Sequence, residues 1–318
     1  MPYHTINYSG DEGIALITLN RPKVMNALNN EILDELESVL NIIEQNDSLR
    51  VLIISGHEKF FSAGADIGEI KKFTPLQAHY YLAKVSRVIN FLEIIPKPVI
   101  AAISGVALGG GCEVCLSSHR IVAALETYMG QVEIGVGLLP GAAGNKEVYL
   151  RCIEGIPDGV TPDLLPFLRK AFENIAMAKV STSAEEARKL GFLRPADKVT
   201  ANLDHLLYDA KQTVLAMVQE GFRPPRPRLI PVAGDGGRAA IKYMVNTMRL
   251  GGFISEYDEF IAGKLAYILT GGDVLSGAMI TEQQMLDLER EAFVSLCGEK
   301  KTQERITQML KTNRPLRN

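Results

Sequence analysis

The stretch that most constrains this chain runs from residue 97 to 144, KPVIAAISGVALGGGCEVCLSSHRIVAALETYMGQVEIGVGLLPGAAG. Residues 99–103 form an apolar, β-branched run of the length and type of a buried strand. The chain breaks at Ser104 and Gly105 and then reaches three consecutive glycines, Gly109, Gly110 and Gly111, directly before Cys112-Glu113-Val114-Cys115-Leu116. Those five residues read as a first helical turn. Glycines between a strand and a helix let a ligand approach the backbone closely. The free amides of the helix start then face that ligand with a positive dipole behind them. Glu113 lies in this first turn, and a second carboxylate, Glu133, follows in an apolar, strand-like context over residues 129–136. Free amides beside two acids can hold an oxyanion and move protons, which points to an enzyme.

Three further motifs stand upstream. Phe61-Ser62-Ala63-Gly64-Ala65-Asp66 follows a strand over residues 51–55, and Leu19-Asn20-Arg21-Pro22-Lys23 and Asn26-Ala27-Leu28 precede it. Together with the triglycine stretch, these motifs resemble the crotonase superfamily, whose best-known members are the enoyl-CoA hydratases. The resemblance covers roughly residues 4 to 150. It implies an α/β fold built as a spiral of ββα units.

Composition sets wide bounds. With 47% hydrophobic and 22% charged residues in 318, the chain can bury a large core as one α/β domain. A net charge of −3 gives no reason to expect nucleic acid or an anionic membrane as a partner. No apolar run approaches the ~20 residues of a membrane span. The opening MPYHTINYSGDEG lacks a basic region followed by an apolar one, so a cytoplasmic location is expected. Four cysteines do not suggest a disulfide framework.

Hairpin-like runs at residues 3–8 and 14–19 flank Gly10-Asp11-Glu12-Gly13. Asn29 is a candidate N-cap before Ile32, Leu33, Leu36, Val39, Leu40 and Ile43, which recur at helical spacing. A second amphipathic helix is expected over residues 76–92. Strand, glycine-rich turn and helix thus alternate through the first half, as an α/β fold requires. Beyond Gly144 the chain departs from the hydratase pattern, reading Pro140-Gly141-Ala142-Ala143-Gly144-Asn145-Lys146 where relatives continue into Thr-Gln-Arg. An inserted segment at 155–163 precedes a helix near 164–178. Ser183-Ala184-Glu185-Glu186 reads as a capping box closed by Gly191, and a helix over 203–220 leads to a stiff linker at 223–228.

Helices are then expected near 238–249, 256–269 and 281–296, the last behind a second capping box of Thr281 and Gln284. This tail resembles the C-terminal part of bacterial 3-hydroxyacyl-CoA dehydrogenases fused to a hydratase-like domain, although no Gly-x-Gly-x-x-Gly fingerprint is present. Residues 1–222 are therefore expected to form the catalytic core. Residues 223–318 would be a helical extension covering that core or a neighbouring subunit.

The resemblance also implies chemistry. The amides of Ala65 and Gly110 would hold the thioester oxygen, Glu113 would activate water, and Glu133 would protonate the α-carbon. Lys23 would approach the CoA phosphates, while Ala63, Asp66, Ile67 and Gly68 would line the CoA path. Gly68 stands where many hydratases carry a lysine. Acyl-CoA is then the substrate, and no cofactor or metal is implied. Cys112-x-x-Cys115 has redox or zinc spacing, but it sits inside the helix start with no second pair or histidine partner at metal spacing. His119 stands where relatives often have Asp, and Arg223, Arg226 and Arg228 read as a solvated linker. Homotrimers or hexamers are the family's habit, and a 3-hydroxyacyl-CoA dehydrogenase is a candidate partner. A Δ3-Δ2-enoyl-CoA isomerase, an acyl-CoA hydrolase and a CoA-binding docking subunit of a β-oxidation complex remain alternatives.

Overall fold

The computed structural model describes residues 3–157 and 159–318. Met1, Pro2 and Asp158 lie outside the described residues, and with them the first two residues of the opening segment and one position of the 155–163 insertion. The chain divides into two compact units that interleave in sequence. The first takes residues 1–66, 83–130 and 180–226; the second takes 67–82, 131–179 and 227–318.

The first unit is built on one sheet. Its strands are β1 (Ile6–Asp11), β2 (Ile14–Leu19), β3 (Val51–Ser55), β4 (Phe60–Ser62), β5 (Val99–Leu108), β6 (Arg120–Gly130) and β7 (Lys198–Thr200). The order is β1-β2-β3-β5-β6-β7, with β4 on β5; β1 and β2 form an antiparallel hairpin and every other pairing is parallel. Parallel strands need crossovers and are covered on both faces, so they read as continuous apolar runs. That is how residues 51–54 and 99–103 read, and all are buried. Leu206, Ala210, Val214 and Met217, on the helix Leu206–Gln219, close one face against Val51, Ile53, Ile100, Ala102 and Val122. Asn29 caps the helix Asn30–Gln45 by accepting from the Ile32 amide, and the six apolar residues at helical spacing are its buried stripe.

Two local expectations change. The β5 strand does not stop at Ser104-Gly105 but runs to Leu108, the break surviving as a register shift between Ile103 and Gly105 against β6. Glycine here marks a bulge rather than an end. At the Ser183 helix start, Ser183 accepts from the Glu186 amide, but the Glu186 carboxylate turns to the amide and hydroxyl of Thr182. The reciprocal half of the capping box is therefore missing.

The second unit is mainly helical. Its helices include Gly144–Ile153, Leu165–Ala176, Gly234–Leu250, Glu256–Leu269, Glu282–Cys297 and Lys300–Thr312. The Thr281/Gln284 capping box forms fully, and a second one joins Ser255 and Asp258. After the irregular linker, a strand that sequence reading did not anticipate, β8 (Leu229–Pro231), pairs antiparallel with β9 (Met279–Thr281).

This unit also accounts for the unusual residues after Pro140. Glu289, fully buried, accepts from the amides of Ala143 (3.0 Å) and Lys146 (2.6 Å), satisfying the open start of the Gly144–Ile153 helix. The Lys146 ammonium, also buried, lies 2.9 Å from Glu147 and 3.1 Å from Glu282. The departure at Lys146 is thus matched by acids from the Glu282–Cys297 helix, far along the chain.

Candidate active site

The first unit brings two of the sequence motifs together. Leu28 pairs with Ala65 as an isolated parallel bridge: the Leu28 amide donates to Gly64 O (2.8 Å), and the Asp66 amide donates to Leu28 O (2.9 Å). In such a pairing the middle residue, Ala65, directs its own N–H away from the partner strand. Gly64 holds φ at +101°, and a Cβ there would meet Leu108 O at 2.9 Å and Gly110 N at 3.3 Å, so only glycine fits. On the other side, a Cβ on Gly111 would stand 2.6 Å from the Ser62 Cβ. The triglycine therefore exists to seat the helix Gly110–Leu116 flat against the Ser62–Ala65 backbone.

The result is a small recess. A Cβ built on Gly110 would lie 3.4 Å from the Ala65 amide nitrogen, 3.4 Å from Leu28 Cδ1 and 3.8 Å from Glu113 Oε2. Gly110 is the first residue of its helix, where the amide has no partner within the helix. Glu113 is buried on the same turn. The Ala65 amide nitrogen and a carboxylate oxygen thus border one methyl-sized position beside the Gly110 helix start.

Asn26 holds this scaffold together. Fully buried, it donates from Nδ2 to Phe61 O (2.9 Å), accepts from the Arg21 amide (2.7 Å), and its own carbonyl receives the Ser62 hydroxyl (2.8 Å). Its place in the opening motif was legible, but its bonding was not. Arg21 is a second group that sequence reading passed over: its guanidinium meets the Asp66 carboxylate at 3.3 Å. Lys23 is exposed on the turn Pro22–Val24. The Ala63 amide is spent on Met25 O (2.9 Å), so Ala63 offers the recess no N–H. Phe61 is core, and Phe60 stacks on His57 with ring centroids 4.7 Å apart.

His119 has a structural place beside the sheet. Its Nδ1 accepts from the Val99 amide and its Nε2 donates to Glu93 O, both at 3.0 Å. Burial pushes its pKa down to about 4, so the ring is neutral. Cys112 and Cys115 are both buried, and among the described residues no group of three His, Cys, Asp or Glu is placed to hold a metal ion.

In the second unit, Ile67 and Gly68 open the short helix Ile67–Ile70. Glu133 is not on a strand: β6 ends at Gly130, and Glu133 starts a 3-10 turn, Glu133–Val136. The apolar run misled because Ile134 and Val136 are buried from a turn rather than from a pleat. With its amide assigned so that the nitrogen and not the oxygen faces the carboxylate, Gln131, itself fully buried, donates to both Glu133 oxygens, at 3.1 and 3.2 Å. Nothing in the spacing singled out Gln131.

The chain is similar to known proteins in sequence and in fold. A probable enoyl-CoA hydratase of Bacillus subtilis is 33% identical over 219 residues, 65% of this chain and 83% of that protein. The chain belongs to the enoyl-CoA hydratase/isomerase family. The family profile of that description matches residues 9–154. A probable 3-hydroxyacyl-CoA dehydrogenase of Bacillus subtilis is 41% identical over 297 residues, 92% of this chain but 37% of that protein, and so shares the helical tail as well. A short-chain-enoyl-CoA hydratase of Clostridium acetobutylicum is 40% identical over 136 residues, 42% of this chain and 52% of the relative. The chain therefore spans about half or less of the length of these last two curated relatives.

Solved structures of the family share the fold across the whole chain. An enoyl-CoA hydratase from Mycobacterium avium subsp. paratuberculosis K-10 superposes with a TM-score of 0.65 over 100% of both chains at 16% identity. One from Bacillus anthracis gives 0.58 over 99% of both at 23%. The largely parallel sheet with its helices and helical C-terminal region is thus the crotonase fold. Among the described residues no helix is long and apolar enough to cross a membrane.

Proposed function

We propose that this family member is an enoyl-CoA hydratase, adding water reversibly to a trans-2-enoyl-CoA to give a 3-hydroxyacyl-CoA. The single observation that carries the reading is the recess bordered by the Ala65 amide, the Gly110 helix start and Glu113 Oε2. In the proposed reaction the Ala65 and Gly110 amides take the thioester oxygen as it gains enolate charge; removing one such donor elsewhere costs about 3 kcal/mol. Glu113 removes a proton from water, whose oxygen bonds to the β-carbon. The electron pair of the double bond moves onto the thioester oxygen, and as it returns Glu133 delivers a proton to the α-carbon. Product release is followed by return of the proton from Glu113 to Glu133 through solvent. No oxidant, reductant or metal is required.

The reading requires both acids to reach adjacent carbons of one substrate. Support for Glu133 comes from the family resemblance and from Gln131, whose two hydrogen bonds fix the carboxylate on its turn. The isomerase alternative moves a proton between carbons and can work with one acid, so an intact pair favours hydration. We assign the CoA path to Lys23, Ala63, Asp66, Ile67 and Gly68, Asp66 acting through its backbone because its side chain is held by Arg21. A homotrimer or hexamer in the cytoplasm, serving a 3-hydroxyacyl-CoA dehydrogenase, completes the proposal. In it, residues 223–318 cover the core or a neighbouring subunit.

The test is direct. Purified protein mixed with crotonyl-CoA should abolish the ultraviolet absorbance of the conjugated thioester and yield 3-hydroxybutyryl-CoA. A 3-enoyl-CoA converted while crotonyl-CoA is left untouched would favour the isomerase. CoA binding with no turnover of either would favour the docking subunit.

A further inference from the structure

The turn that carries Glu133 presents two carbonyl groups to the last long helix, Gly137 O and Ile134 O, the second of which also accepts from the Gly137 amide. Thr302 Oγ1 donates to Gly137 O at 2.7 Å, and Arg305 Nη1 reaches Ile134 O at 3.4 Å. Both donors project from the helix Lys300–Thr312 onto the turn Glu133–Val136 and its closing residue. The fit is close: a Cβ on Gly137 would stand 2.8 Å from Thr302 Oγ1 and 3.2 Å from Arg305 Cδ.

These donors are themselves fixed. Arg305 is fully buried and pairs with Asp258 at 2.9 Å, while its guanidinium lies 5.0 Å from the centre of the Tyr257 ring. The Tyr257 hydroxyl is 2.7 Å from Thr302 Oγ1. Since the Thr302 hydrogen is committed to Gly137 O, Tyr257 donates to Thr302, giving a relay Tyr257 to Thr302 to Gly137. Asp258 in turn belongs to the Ser255 capping box.

A buried arginine is an expensive way to dock a helix, because apolar residues of similar volume would serve stability as well or better. What a fork of fixed donors does provide is a unique position for the carbonyls it holds. Proton delivery to carbon demands such precision, and a misplacement of about 1 Å can cost ~10²-fold in rate. We infer that Thr302 and Arg305 are positioning residues for the Glu133 carboxylate, a role that rests on the hydration reading. They lie outside the family-matched segment, which ends at residue 154. The helical extension thereby acts in the proposed chemistry through one clamped turn.

Thr302→Val removes the donor with almost no change of shape, and Thr302→Ser restores it. The valine variant should lose roughly tenfold or more in kcat for crotonyl-CoA hydration with KM within about twofold, and the serine variant should recover most of it. A second measurement needs no turnover. The amides of Gly135, Gly137 and Leu138 close the turn through bonds of 3.0 Å each, and their hydrogen exchange should quicken in the valine variant and return in the serine one. Wild-type kcat in Thr302→Val overturns the inference, as does a lowered kcat with unchanged exchange at these amides or without rescue by serine. Should the wild-type chain hydrate no enoyl thioester, the hydration reading falls separately, and exchange alone then decides whether Thr302 holds the turn.

Discussion

The amide nitrogen of Ala65 lies 3.4 Å from the point where a methyl group on Gly110 would stand, although the two residues come from different motifs on different strands' ends. This contact separates two glycines that look alike in sequence. Gly110→Ala meets only ordinary van der Waals distances, so it should fold with near wild-type stability. Its methyl would occupy the volume proposed for the thioester oxygen, and kcat/KM for crotonyl-CoA should fall ~10²-fold or more. Gly111→Ala would instead force its Cβ to 2.6 Å from that of Ser62, costing about 1–3 kcal/mol or more by overpacking. Urea unfolding of both variants, beside the rate of the first, checks the pair. An active Gly110→Ala enzyme would empty the recess of its proposed role.

Glu113→Gln and Glu133→Gln keep shape and hydrogen-bonding size while removing a transferable proton. Each should reduce kcat by ~10² or more and leave affinity for CoA thioesters close to wild type. Turnover near wild type in either would strike that residue from the mechanism. Isomerase activity surviving one substitution but not the other would identify a one-acid reaction.

The His119 ring predicts a pH dependence of stability. Its pKa is about 4 in the fold against an ordinary value near 6.5, because burial disfavours the charged form. Below pH ~6.5 the unfolded chain takes up a proton that the folded chain refuses. The contribution is therefore complete above that pH and is lost as pH falls toward 4, by about 3 kcal/mol over the window. His119→Gln, which cannot titrate, should flatten the slope of stability between pH 6.5 and 4 even if its absolute stability is lower. An unchanged slope would show that the ring is not the titrating group.

Lys146 sits between Glu147 and Glu282 with almost no solvent access. Lys146→Met removes the cation these acids share but leaves Arg151 beside Glu147 and Arg228 beside Glu282, so it should destabilise the chain by about 1–3 kcal/mol, less than a wholly unpaired buried charge would cost, read from denaturant unfolding. A loss below about 1 kcal/mol would mean that the site is wetter than its burial implies.

How much of this was legible in the residues depended on range. Local patterns carried the sheet strands at 51–55 and 99–103, the Asn29 cap and the Thr281 box, because buried strands and helix starts are set by neighbours a few positions away. They failed at Glu133, where two apolar neighbours imitate a strand although the chain has already turned. They also failed at β8 and β9, three-residue strands too short to show a period.

The amino-acid order by itself determined the family, the glycines at which backbones must touch, and the acids available for proton transfer. Each of these depends on residue type at fixed spacing, which a chain displays without folding. Tertiary structure alone decided that Asn26 ties the first motifs together, that Gln131 grips Glu133, and that Lys146, Thr302 and Arg305 find partners more than a hundred residues away. Hydrogen bonds and buried charges are satisfied by whatever the fold brings within about 3 Å, and separation along the chain carries no record of that.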